Sequence, residues 1–174
     1  MTSSFDANLG AANIQTKSGD FSKNLTSVSA IELNYNLNHT AANTAYTLSF
    51  YELLRTDEGS LTFTRLSLGS RWYPRGMSGG RLIIDNDVTA RVWSASPFIG
   101  FGVGLATMSI KEYNASFIDI GPKVGVEVPL SSNLLLLGQF SFISSLSGNA
   151  AESKSVSYSG ANVMVGIVFS GLDY

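Results

Sequence analysis

Residues 117–142 read FIDIGPKVGVEVPLSSNLLLLGQFSF. Over the first half, Ile118, Ile120, Val124, Val126 and Val128 fall on one side, and Asp119, Gly121, Lys123, Gly125 and Glu127 on the other. A repeat of two is that of a β-strand, here with one apolar and one polar face. Leu134 to Phe142 reads as a second strand, and Pro129 to Asn133 leaves room for little more than a tight turn between the two. The pair is a hairpin whose charged face is backed by an aliphatic one. In a soluble architecture the aliphatic face covers a shared core and the charges meet water. In a membrane barrel the aliphatic face meets lipid and the charges fill the lumen.

Composition narrows the choice. One domain is expected for 174 residues. Charged residues make up 14% and hydrophobic ones 44%, against about 25% charged in ordinary globular chains. Yet no apolar run reaches the roughly 18 residues that a membrane helix needs. Seventeen Gly, four Pro and abundant Ser, Thr and Asn suit many strands joined by turns. A net charge of −2 provides no basic stripe for nucleic acid and no polybasic arm for anionic lipid. Without Cys there are no disulfides or thiolate metal sites. MTSSFDAN at the start has neither a basic nor an apolar signal region, so the expectation is a mature exported form with an added start Met.

Outward from the hairpin, the alternation predicts six further strands. The first, Ser3 to Thr16, sets Phe5, Ala7, Leu9 and Ala11 against Asp6, Asn8 and Gly10. The second, Thr26 to Asn38, sets Ile31, Leu33, Tyr35 and Leu37 against Glu32, Asn34 and Asn36. The third runs from Thr44 to Leu54. The fourth, Leu61 to Tyr73, turns Arg65, Ser67, Gly69 and Arg71 to the polar side. The fifth, Pro97 to Ile110, carries Gly100, Gly102 and Gly104 there, which leaves room for a large side chain to lie across it. The last, Val156 to Ser170, sets Ala161, Val163, Val165, Ile167 and Phe169 against Asn162, Met164 and Gly166. Eight strands of about 10 residues can each cross a bilayer at a tilt.

Polar loops are expected at 17–24, 55–60, 111–116 and 145–155, opposite the short connections 39–43 and 129–133. Long loops at one end and tight turns at the other is the outer-membrane pattern. Tyr35, Tyr46, Trp72 and Phe169 fall near the short-turn end, where an interfacial aromatic girdle would lie. The segment 74–96 breaks the pattern; LII and VTARVW within it are too short to span and predict a small hairpin or flap on the periplasmic side.

LSLGSRWYP (66–74), SPFIGFGVGLA (96–106) and GPKVGVEVPLSSNLLLLGQFSF (121–142) together resemble the OmpA-like and OmpX-like outer-membrane β-barrels over roughly residues 60–170. In that family a strand ending in an aromatic pair precedes a Pro-aromatic-x-Gly-x-Gly strand, then a Gly-rich strand, a short turn and a Leu-rich strand. The resemblance implies an all-β, eight-stranded, antiparallel up-and-down transmembrane barrel of the Gram-negative outer membrane, with both termini in the periplasm. It also implies that the assembly machinery reads a terminal aromatic, Phe169 or Tyr174; the SGLDY extension departs from the family pattern. It carries over no catalytic residue and no cofactor.

Seven ionisable residues are expected in the lumen: Asp6, Glu32, Arg65, Arg71, Asp119, Lys123 and Glu127. The interior of an eight-stranded barrel is only wide enough for side chains, so four acids and three bases there must pair. A paired network stiffens the barrel; a network that can rearrange is a gate. A hydrolase needs a Ser within reach of a base, and the only His, His39, sits in an expected turn beside Thr40. Asp85, Asn86 and Asp87 could offer oxygens to calcium but lack the spaced ligands of a dedicated loop, and a turn explains them. Asp57, Glu58, Lys17, Lys23, Lys111 and Lys154 are the loop charges that would face lipopolysaccharide or an unidentified outside partner. The functional expectation is thus a non-enzymatic membrane barrel with a structural or interaction role. The alternatives are a narrow channel for ions or small solutes and a soluble lipocalin-like barrel with its aliphatic faces turned inward around an apolar ligand.

Overall fold

The computed structural model describes residues 1–174 apart from 19–20, 56–60, 78–80, 86–87, 93–94, 111–112, 132, 151–155 and 173–174. Ten strands lie within the described residues: β1 Thr2–Ser18, β2 Phe21–His39, β3 Thr44–Arg55, β4 Leu61–Trp72, β5 Arg81–Asp85, β6 Val88–Val92, β7 Ser96–Ile110, β8 Tyr113–Pro129, β9 Leu134–Ala150 and β10 Val156–Leu172. Eight of them close into a barrel in the order β1-β10-β9-β8-β7-β4-β3-β2, and β5 and β6 form a separate two-stranded sheet. Every neighbouring pair in the ring is antiparallel. The fold is therefore an all-β, up-and-down, eight-stranded closed barrel, with the β5–β6 hairpin inserted between the fourth and fifth staves.

The two faces separate as the alternation requires. Leu9, Leu66, Leu68, Leu105, Val124, Val163 and Val165 lie on the outer surface, Leu68 at 69% exposure. Asp6, Asn8, Asn34, Arg71 and Asp119 point inward and are at most 1% exposed. The lipocalin-like alternative is overturned by this: the aliphatic faces point out and the charges point in.

Strand lengths differ from expectation at one end of the barrel. β1 and β2 pair as far as Ser18 and Phe21, so the polar run 17–24 is mostly ladder and not loop. β7 and β8 likewise pair to Ile110 and Tyr113, and β9 runs on through 145–150. The expected long loops at 17–24 and 111–116 shrink to two-residue connections. A strand that has left an apolar surroundings no longer needs one apolar face, so its period-two signal fades while its backbone ladder continues. At the opposite end His39 opens a 3-10 turn, Thr40–Ala42, its Nδ1 accepting from the Ala42 N–H at 3.2 Å. Asn43 closes that turn in the left-handed region at φ 51°, a conformation Asn tolerates better than most residues.

Candidate functional site

The lumen holds the only dense array of ionisable groups among the described residues, and it is built in three parts. Towards the end with the extended strands, Ile14, Tyr51, Leu53, Phe63, Met108, Phe117, Ile143, Tyr158 and Met164 form an apolar layer across the barrel. Its centre is an aromatic chain: Phe63 meets Tyr51 edge-on at 5.9 Å and Tyr158 at 5.2 Å, and Tyr158 meets Phe117 at 4.9 Å. Near the short turns Ala45, Tyr73, Phe98, Leu135, Leu137 and Val168 form a second, smaller apolar cluster, beside the buried polar Ser4, Asn36 and Asn38 of β1 and β2. Between the two lies a polar belt.

The belt brings all seven expected ionisable residues together in three groups. Arg65 from β4 crosses to β8, with Nε 2.8 and 2.9 Å from the two Asp119 oxygens and Nη2 2.7 Å from Oδ1. Its Nη1 donates to Ser67 at 2.8 Å, and the Tyr158 hydroxyl donates to Asp119 at 2.5 Å. Lys123 from β8 reaches Glu32 on β2 at 3.1 Å, and Gln139 donates to the other Glu32 oxygen. Arg71 lies between two acids, 3.0 Å from Asp6 and 3.5 Å from Glu127, with its guanidinium carbon 5.0 Å from the centre of the Phe98 ring. Asp6 accepts from Asn8 at 2.6 Å, from Asn36 at 2.8 Å and from Asn34. Tyr73 donates to Glu127 at 2.8 Å. Charges buried this deeply are tolerable only when each is paired and further hydrogen-bonded, and the Asn and Tyr donors supply the second requirement.

Glycines make the space. An ideal Cβ on Gly104 would lie 2.8 Å from Arg65 Nε, and one on Gly100 would lie 2.7 Å from Lys123 Cγ. The two long cations cross β7 where it has no side chains, as the Gly-x-Gly spacing anticipates. On the outer wall, Tyr35, Leu37, Tyr46, Leu48 and Leu68 line an apolar groove of about 220 Å³. Tyr35, Tyr46, Trp72 and Phe169, the expected girdle, are 39%, 57%, 52% and 51% exposed on that wall.

Sequence reasoning missed the apolar layer and the smaller cluster. Leu135 and Leu137 point inward and Leu134 and Leu136 outward, so the run LLLL carries no alternation to read. The Asn donors around Asp6 were visible as polar-face residues but not as its ligands, because Asn34 and Asn36 lie 28 and 30 residues away in the chain. His39 serves as the turn cap described above. Asn86, Asp87, Asp57, Glu58, Lys111, Lys154 and Tyr174 lie outside the described residues. No group of three potential metal ligands occurs among the described residues.

No family model matches the sequence, and no curated protein sequence matches it. Solved structures do. The outer membrane protein OprG from Pseudomonas aeruginosa aligns with a TM-score of 0.57 at 12% identity, over 97% of this chain and 95% of that one. Neisserial surface protein A aligns with a TM-score of 0.55 at 15% identity, over 95% and 96%. The outer membrane protease OmpT from Escherichia coli aligns with a TM-score of 0.54 at 6% identity, over 98% and 97%. At such identities the likeness concerns the fold, which enzymes and non-enzymes share. The chain has the fold of the small eight-stranded outer-membrane β-barrels.

Proposed function

We propose that this protein is an integral barrel of the Gram-negative outer membrane whose role is structural or interactive, not catalytic and not conductive. Both termini and the β5–β6 hairpin then stand on the periplasmic side, and the extended strand ends carry the polar outer connections to lipopolysaccharide or an outside partner. The barrel-assembly machinery would read Phe169 near the end of β10. One observation carries the reading: the ion-paired belt is capped on the side of the extended strands by an apolar layer to which all eight staves contribute, so the charges stiffen the wall and offer no continuous polar path.

The reading is tested by detergent refolding followed by planar-bilayer recording. The unboiled protein should migrate as a compact band, and the inserted protein should give no resolved current steps. Steady steps from the unaltered chain would overturn it. A narrow channel is the second reading. It is favoured by Arg71 Nε and Nη2, Asn8 Oδ1, Asn34 Oδ1 and Gln139 Oε1, buried polar atoms with no protein partner among the described residues. The apolar layer around Phe63 weighs against it: Phe63→Ala thins that layer, and the unaltered chain should conduct no more than this variant does.

A further inference from the structure

The β5–β6 ribbon is the one sheet outside the closed ring among the described residues, and each of its strands has only the other as neighbour. A closed barrel removes edges, whereas a lone ribbon presents two. Two strands by themselves are marginal in water; a third strand or a packing surface is what makes them persist.

The sequence of β5, RLIID, is complementary to itself when two copies run antiparallel about Ile83. Arg81 then stands opposite Asp85 of the second copy, Leu82 opposite Ile84 of the second copy, and Ile83 opposite its own equivalent. The two-fold relation repeats each match, so two opposite-charge pairs flank an aliphatic centre. Within the ribbon the register sets Arg81 opposite Val92 and Asp85 opposite Val88. β6, VTARV, has no comparable match, since pairing about Ala90 sets Thr89 against Arg91.

We propose that two copies of this chain associate through their β5 edges, antiparallel about Ile83, into a four-stranded sheet outside the two barrels. The contact is isologous and closes on itself, as a two-fold dimer requires. Cross-strand opposite charges stabilise such a pairing, and like charges directly opposite oppose it. The dyad of an antiparallel pair is normal to the sheet, so two barrels in one membrane share it when the ribbon lies parallel to the membrane surface. The inference rests on the membrane reading above.

The test is a charge swap in the full chain, refolded into detergent micelles and followed by sedimentation. R81D and D85R each set like charges opposite one another and should weaken the dimer roughly tenfold or more. R81D/D85R restores complementarity and should recover the affinity of the unaltered chain. The chain has no cysteine, so Ile83→Cys adds the only thiol and should oxidise to a covalent dimer faster than Ala90→Cys. A monomeric unaltered chain, a dimer indifferent to the single swaps, a double swap that stays weak, or faster cross-linking through position 90 would each overturn the proposal. Compact migration of the unboiled variants reports the barrel separately: its loss throughout would remove the membrane reading, and its retention with any of those outcomes would remove the dimer alone.

Discussion

Arg65 lies against the bare backbone of Gly104, close enough that a Cβ at 104 would sit 2.8 Å from its Nε and 2.9 Å from the Asp119 Oδ1 that it pairs with. The closest ion pair in the lumen thus depends on the absence of a methyl group on β7, the strand that lies between β4 and β8 in the ring. Gly104→Ala should push guanidinium and carboxylate apart and cost about 1–3 kcal/mol, as overpacking of a filled interior does. Gly102→Ala is the control: its nearest contact would be Leu68 O at 3.4 Å, an ordinary van der Waals distance. That variant should stay within about 0.5 kcal/mol of the parent. Urea titration in lipid vesicles, read by tryptophan fluorescence, separates the two; equal costs would mean that Arg65 does not occupy the groove over β7.

Asp6 and Arg71 form the most heavily ligated pair. Asp6→Ala removes the acceptor of three Asn donors and leaves Arg71, 1% exposed, with Glu127 at 3.5 Å as its remaining acid. A buried cation stripped of its main partner should cost about 3–5 kcal/mol. Glu127→Gln should cost about 1 kcal/mol, because the amide oxygen still accepts from Tyr73. Asp6→Asn with Arg71→Met and Glu127→Gln removes all three charges of the group and should be milder than Asp6→Ala alone, since no buried charge is then left without a partner. A triple variant at least as costly as Asp6→Ala would show that the stripped cation is not what makes that substitution costly.

How much of this was legible in the sequence follows from which signals are local. Asp119, Lys123 and Glu127 alternate with aliphatic residues inside one strand, so their inward direction could be read directly. That Arg65 would meet Asp119 and Lys123 meet Glu32 could not, because these partners lie 54 and 91 residues apart and the pairing depends on barrel order and strand stagger. The apolar layer and cluster escaped because both faces are apolar there: Phe117 points in and Ile118 out, Leu137 in and Leu136 out. The strand extensions around 17–24 and 145–150 escaped for the opposite reason: KSGDFSKN and SLSGNA are mostly polar, with no run of alternating apolar residues. Alternation reports a boundary between two environments; where a strand has the same kind of surroundings on both sides, only the backbone ladder records it.

The same boundary sets the cost of charge on the outer wall. Leu68 pairs with Val103 on β7 and lies between the exposed Trp72 and Thr64, whose hydroxyl meets that of Thr107 at 2.8 Å. On the membrane reading proposed above, an exposed hydroxyl pair would mark the approach to the far interface and Trp72 the near one, which would set Leu68 near the middle of the apolar band. Leu68→Arg should cost about 2–4 kcal/mol in vesicles, and Thr64→Arg no more than about 1 kcal/mol. In a soluble barrel neither exposed position would care about an arginine, since surface substitutions shift stability by only about 0.5 kcal/mol. Vesicle titrations in which Leu68→Arg matches Thr64→Arg would therefore take the lipid away from this wall, whereas a graded cost would fix the depth of the barrel in its membrane.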